Sequence, residues 1–183
     1  DLAVRDLATG GIQRVTDKGP WSKSADRAQK SVFSPDGQQL AFAWYNDTAS
    51  RYEVRTIGVG GSSLHIFEAD EHGYYVEPHA WSRDGKYVSA RVFPKSGGSK
   101  LVVISVDDGT VRTIKSFESE GSGRTEFSPD GQYLLCESDT DGRQRARDLL
   151  LVSIDGQNER TLVAHPADER VLGWAPDGKR ILF

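Results

Sequence analysis

His72, Glu77 and His79, with Glu71 beside them, form the densest group of metal-ligating side chains in the sequence. Imidazole nitrogens and carboxylate oxygens are zinc ligands, and a centre held by three of them keeps a position open for an attacking water. The spacing H-x4-E-x-H matches no established metal site, and His65 and His165 fall in other repeats, so no metal is expected. Asp139-Thr140-Asp141-Gly142 opens like a calcium loop but lacks the third oxygen position and the distal glutamate. Arg143, Arg145 and Arg147 alternate, so in an extended segment they would project together toward an acidic partner; Asp139, Asp141 and Asp148 nearby favour a solvated loop. Cys136 lies in an apolar run with no base beside it and reads as a buried structural thiol. The sequence holds no Gly-x-Ser-x-Gly, P-loop or dinucleotide fingerprint. No catalytic residue and no cofactor are therefore expected.

What would position these residues is a repeat. FSPDG at 33–37 returns as WSRDG at 81–85, FSPDG at 127–131 and WAPDG at 174–178, at intervals of 48, 46 and 47 residues. A period of this size marks a repeat architecture. Each Asp-Gly is followed by an apolar run: QQLAFAW at 38–44, KYVSARV at 86–92, QYLLCES at 132–138 and KRILF at 179–183. Further strand-like runs follow at 2–7, 52–57, 101–106 and 149–154, then a glycine-bearing turn, then runs at 12–16, 64–68, 111–115 and 160–163. The runs are short, β-branched and bounded by Gly and Asp, and Asp-Gly supplies the positive φ that tight hairpins need. Each unit predicts a four-stranded antiparallel meander too small to bury both faces alone. Stacked radially, such units make an all-β propeller. In this reading the aromatic ends the innermost strand and packs between sheets. The proline and Asp-Gly make the turn, with Asp binding its own backbone.

The expected organisation is a half blade at 1–19, blades at 27–69, 75–117 and 123–164, and a half blade at 170–183. Composition agrees with a globular chain: 183 residues, 37% hydrophobic, 27% charged. A net charge of −4 argues against nucleic acid, which calls for a basic stripe. The longest apolar runs, at 101–106 and 149–154, have strand length, so no membrane insertion is expected. One cysteine excludes an internal disulfide and leaves the compartment open. The absence of methionine and the start at Asp1 read as a processed product or an excised piece.

Through FSPDGQQLAF, WSRDGKYVSA, FSPDGQYLLC and WAPDGKRILF the sequence resembles the WD40-like propeller repeats of the TolB type, related to the propeller domains of prolyl oligopeptidase-like and tricorn-like proteases. Arg83 stands where proline is usual and Ala175 where serine is usual. The resemblance implies a binding platform or a filter over a separate catalytic domain, no transferable catalytic residue, and six to eight blades in a full ring. It also suggests a periplasmic or exported bacterial location.

The chain opens on a third strand and ends on a second, so three arrangements stand: a segment of a longer propeller, a four-bladed ring closed within the chain, or an eight-bladed homodimer through half-blade completion. The connections between strands two and three, and between blades, read as long and variable and share one face, which marks the binding rim. Trp21, Tyr45, Tyr74 and Tyr75 read as loop aromatics there, suited to a peptide or sugar or else folded back over a blade. Lys30, His79, Arg124 and Arg170 precede the four aromatic motifs and are placed at the central channel. The functional expectation is a non-enzymatic interaction module that presents this rim and channel to a protein or peptide. The alternatives are a substrate filter attached to a hydrolase or peptidase domain outside this segment, and a propeller lyase or hydrolase built on the His72/Glu77/His79 region.

Overall fold

The computed structural model describes residues 1–68, 73–121, 123–139, 147–165 and 167–183, with Gly73 and Tyr74 described in backbone only. Three four-stranded antiparallel sheets follow one another: β3 (Arg27–Phe33), β4 (Gln39–Asn46), β5 (Arg51–Gly58) and β6 (His65–Phe67); β7 (Gly73–Trp81), β8 (Tyr87–Pro94), β9 (Ser99–Ser105) and β10 (Val111–Phe117); β11 (Thr125–Phe127), β12 (Tyr133–Asp139), β13 (Arg147–Ser153) and β14 (Glu159–Val163). Two-stranded sheets stand at the ends, β1 (Ala3–Arg5) with β2 (Ile12–Arg14) and β15 (Gly173–Trp174) with β16 (Ile181–Leu182). These end pairs are separate sheets and do not join into one blade.

The repeated motif works through its serine. The Ser34 hydroxyl donates to Asp36 Oδ1 at 2.6 Å and accepts the Gln39 N–H at 2.9 Å, while the same carboxylate oxygen accepts the Gln38 N–H at 3.0 Å. Gly37, at φ 69°, then turns the chain with its N–H on the Ser34 carbonyl. Ser82–Asp84 and Ser128–Asp130 repeat the arrangement, each hydroxyl 2.6 Å from its carboxylate. Ser153–Asp155 builds it again between strands three and four of the last full sheet. The hydroxyl is the first cause holding Asp36, Asp84, Asp130 and Asp155 below the ordinary carboxylate range. Arg83 in place of proline changes nothing, because position i+1 of this turn accepts most residues.

The core lies in the seams between sheets. Val54 and Phe67 pack on Val76, Ala90, Val92, Val102 and Ile104; Leu101, Val103 and Ile114 pack on Phe127, Leu134, Cys136 and Val152. Trp81 is 9% exposed, its indole N–H 3.3 Å from the Val32 carbonyl of the preceding sheet, and Phe127 is 8% exposed. Phe33 differs at 55% exposed. The sheet before it has two strands, which cover Leu40, Phe42 and Ile57 through Leu2, Val4 and Val15 and leave Phe33 open.

The second strands β8 and β12 also grip the segment that leads to the next sheet. Ten residues after the motif aromatic stand Ala43, Arg91 and Glu137. Arg91 is 1% exposed, lies 3.6 Å over the Phe117 ring, and donates to Ser99 Oγ at 3.1 Å and the Gly121 carbonyl at 3.2 Å. Burial lowers its pKa to about 10, so it stays charged at neutral pH. Glu137, 4% exposed, accepts the Val171 N–H at 2.9 Å and pairs with Arg147 at 3.5 Å.

Candidate functional site: the rim and the inner strands

Around Tyr45 and Tyr75 the rim is built from strand ends rather than loops. Tyr45 lies in β4, and Tyr74 and Tyr75 lie in β7, which corrects their placement in loops. The connections between strands two and three close at 47–50 and 95–98, as tight as the other turns, because the hairpin ladders run on to Asn46↔Arg51 and, beside it, to Val92↔Lys100. The expected long insertions are therefore absent from these two sheets; the third such connection, 140–146, lies outside the described residues.

Register then lines up a row across two sheets. Arg27 pairs with Tyr45 and Tyr45 with Tyr52, while Tyr75 pairs with Phe93 in the next sheet. The rings touch in sequence: Tyr45–Tyr52 at 5.1 Å between centroids, Tyr52–Tyr75 at 4.9 Å edge-on, Tyr75–Phe93 at 5.8 Å stacked. The Arg27 guanidinium lies 4.3 Å over the Tyr45 ring and donates to the Tyr52 hydroxyl at 2.8 Å. All five side chains are half-buried. Burial, then the Glu77 charge and the hydrogen bond to it, push the Tyr75 hydroxyl well above the usual phenol range.

Inside this row the first strands β3, β7 and β11 lie side by side. Lys30 and His79 converge on Glu77 from adjacent strands, at 3.4 Å and 3.6 Å. Lys30 sits at the irregular step of β3 with φ 44°, a left-handed conformation that a lysine adopts only under constraint. Its side chain is 57% exposed, whereas that of His79 is 11% exposed with a buried Nδ1 that has no partner among the described residues. Arg124 and Arg170 do not join them: each is exposed and paired locally, with Glu126 at 2.6 Å and Asp168 at 2.8 Å. Trp21 stands apart, 66% exposed, with the Lys18 ammonium 3.4 Å above its ring.

Of the metal-type cluster, Glu71 and His72 lie outside the described residues, as do Thr140, Asp141, Gly142, Arg143 and Arg145. Among the described residues no three His, Cys, Asp or Glu side chains are grouped to hold a metal ion. Cys136 is fully buried and its thiol is pushed up to about 12 by burial, so it is protonated and unreactive. A separate open groove of about 1130 Å³ runs between Leu151, Leu162 and Val163 on one side and Trp174, Ile181 and Phe183 on the other.

Arg27, Tyr52 and Phe93 were not singled out from sequence, although a signal existed. Phe93 follows Trp81 by twelve residues as Tyr45 follows Phe33, and Tyr52 faces Tyr45 across a short turn.

No protein-family model matches the chain. Over its whole length it is 26% identical to the "Uncharacterized peptidase YuxL" of Bacillus subtilis (strain 168), and it spans 24% of that protein. The structure of TolB from Acinetobacter baumannii superposes with a TM-score of 0.64 at 20% identity, over 91% of this chain and 38% of that one. The β-propeller domain of the Trilobed protease from Pyrococcus furiosus superposes with a TM-score of 0.60 at 14% identity, over 88% of this chain and 48% of that one. In fold, the chain is a β-propeller segment of the TolB type.

Proposed function

We propose that this chain is a substrate-filtering propeller segment of a larger peptidase, meeting peptides with its rim and inner strands while another domain breaks the bond. The observation that carries this reading is the similarity along the full chain to a peptidase of which it spans 24%. The aromatic row and the Lys30–Glu77–His79 group supply contact surface and charge of the kind peptide recognition uses.

The test is a hydrolysis assay with peptidyl-coumarin substrates on the 183-residue chain. The expected result is no release of coumarin by the chain alone, together with slower hydrolysis by an added peptidase because bound peptide is withheld from it. Turnover by the chain itself, retained after repeated purification, overturns the reading.

A second reading, an interaction module with no peptidase attached, is favoured by the likeness to TolB. It places contact on the same rim. Fluorophosphonate or chelator-sensitive peptidase activity in the intact polypeptide separates the two.

A further inference from the structure

Ion pairs on the inner strands are polarised. Lys30 reaches from β3 to Glu77 on β7, Arg124 holds Glu126 at the start of β11, and Arg170 holds Asp168 on the approach to β15. The three cationic side chains are 57%, 57% and 62% exposed, their carboxylates 8%, 21% and 32%. In each pair the carboxylate is folded under and the cation faces solvent. Pairs that involve a fourth strand or its end run the other way. In Arg14–Asp17, Arg51–Glu68 and Lys115–Glu159 the carboxylate is the more exposed partner. Charge is thus sorted from the inner strands outward, although the chain as a whole carries −4.

Backbone irregularity aims the first of these cations. Lys30 occupies the irregular step of β3 at φ 44°, and β7 is irregular in turn at His79, whose ring closes the other side of Glu77. Such steps re-aim a side chain out of the regular ladder. Glu126 turns its second oxygen toward Gly173 of β15, which carries the row of inner strands on to the last sheet. Among the described residues, the other acidic side chains close in sequence are set apart from this row. Asp26 and Asp47 accept backbone N–H groups at the rim, at 2.7 Å and 3.1 Å. Glu118 and Glu120 lie over the β8–β9 turn, at Gly98 and Gly97.

We propose that the inner strands hold an acidic peptide segment, its Asp and Glu side chains meeting Lys30, Arg124 and Arg170 in turn. Alternate side chains of an extended peptide share one face, so carboxylates at every second residue all face the strands. The carboxylate beneath each cation keeps it in place, which lowers the ordering cost of binding. A nucleic acid would run past the inner strands onto outer ones whose more exposed partners are carboxylates, so a short acidic segment fits better. The proposal rests on the inner strands' meeting peptides, and gives them a charge preference.

The test is fluorescence anisotropy of a labelled Glu-Ser-Glu-Ser-Glu-Ser peptide, amidated at its C-terminus, titrated with the 183-residue chain at low salt. The comparisons are the Gln-for-Glu and Lys-for-Glu peptides, the Gln peptide with a free C-terminal carboxylate, and an oligothymidylate. Saturable binding is expected for the Glu peptide, weakening as salt is raised. Each comparison binds weaker by about tenfold, since three exposed charge pairs contribute on the order of twofold to threefold each. Lys30→Gln, Arg124→Gln and Arg170→Gln each weaken binding by about twofold to threefold, and together by about tenfold. Arg14→Gln, on the outer strand β2, leaves it unchanged. Circular dichroism melts verify each fold; if Lys30→Gln unfolds, Arg124→Gln with Arg170→Gln carries the test, because their carboxylates reach water. Four results overturn the proposal: no saturable binding, equal binding of either Gln peptide, tighter binding of the oligothymidylate, or a combined variant that binds like wild type. Each of these leaves the peptidase reading standing, since that reading is judged by hydrolysis and not by this titration.

Discussion

Replacing Ser128 by alanine isolates the contribution of the motif's hydroxyl. Ser128 is 4% exposed; its hydroxyl donates to Asp130 at 2.6 Å and accepts the Tyr133 N–H at 3.0 Å. The alanine variant orphans the Tyr133 amide at the start of β12 and removes one bond from a carboxylate that water can partly re-solvate. A net hydrogen bond contributes about 1 kcal/mol and an orphaned buried donor costs about 1–3, so the expected loss is about 2 kcal/mol. For a domain of this size that lowers Tm by about 4–8 °C. The effect carries a pH signature. Because the hydroxyl holds Asp130 below the ordinary carboxylate range, its contribution is full above the unfolded pKa of about 3.9 and is lost as pH falls through the depressed folded value. The gap between wild type and Ser128→Ala therefore narrows only on the acid limb. The sequence supplies a reciprocal experiment in the last motif, where Ala175 leaves Asp177 to accept the Lys179 N–H without a serine partner. Ala175→Ser should gain about 0.5–1 kcal/mol. Chemical denaturation from pH 3 to 8 measures both. A Ser128→Ala variant within about 0.3 kcal/mol of wild type, or a destabilising Ala175→Ser, refutes the reasoning.

Three further outcomes are expected. Gly123→Ala places a Cβ 2.6 Å from Glu137 Cβ and 2.8 Å from its carbonyl, and should destabilise by about 1–3 kcal/mol in urea titration. Glu137→Ala leaves the buried Val171 N–H without its acceptor and Arg147 with only Asp168, 3.9 Å away; a loss of about 2–4 kcal/mol and faster exchange of the Val171 amide are expected by native-state hydrogen exchange. Cys136, with its thiol pushed up to about 12, should resist a thiol reagent at pH 8 in the native state and react at once in denaturant; native labelling would show that the β12 seam opens readily.

The propeller was legible because its signal is redundant: four aromatic–Asp-Gly motifs, each feeding a strand, at one period. The serine's part was less visible, since Ser at the second motif position looks like any turn residue until its bond to Asp is measured. Strand ends carried the main misreading. Tyr45, Tyr74 and Tyr75 stand beside Asn, Asp and Gly, which suggested loops, yet cross-strand pairing carries the ladder past them. The site was legible only by halves. Lys30 and His79 were placed together at the channel and do meet, through Glu77, but nothing along the chain announces a contact between residues 47 positions apart in sequence. The Tyr52–Tyr75 contact likewise joins two sheets and exists only once their seam is packed.

Near-identical repeats face a hazard that unique sequences do not: any blade could dock on any other and still bury apolar surface. The position ten residues past the motif aromatic answers it. A small Ala43, a cationic Arg91 and an anionic Glu137 occupy equivalent places, and the latter two hold different backbone groups of the following segment, a carbonyl at Gly121 and an N–H at Val171. Exchanging two blades would leave a guanidinium facing an N–H or a carboxylate facing a carbonyl, both buried and both repelled. At two seams the buried charge thus matches the backbone group it meets, so Arg91 and Glu137 each favour their own following segment over an exchanged one.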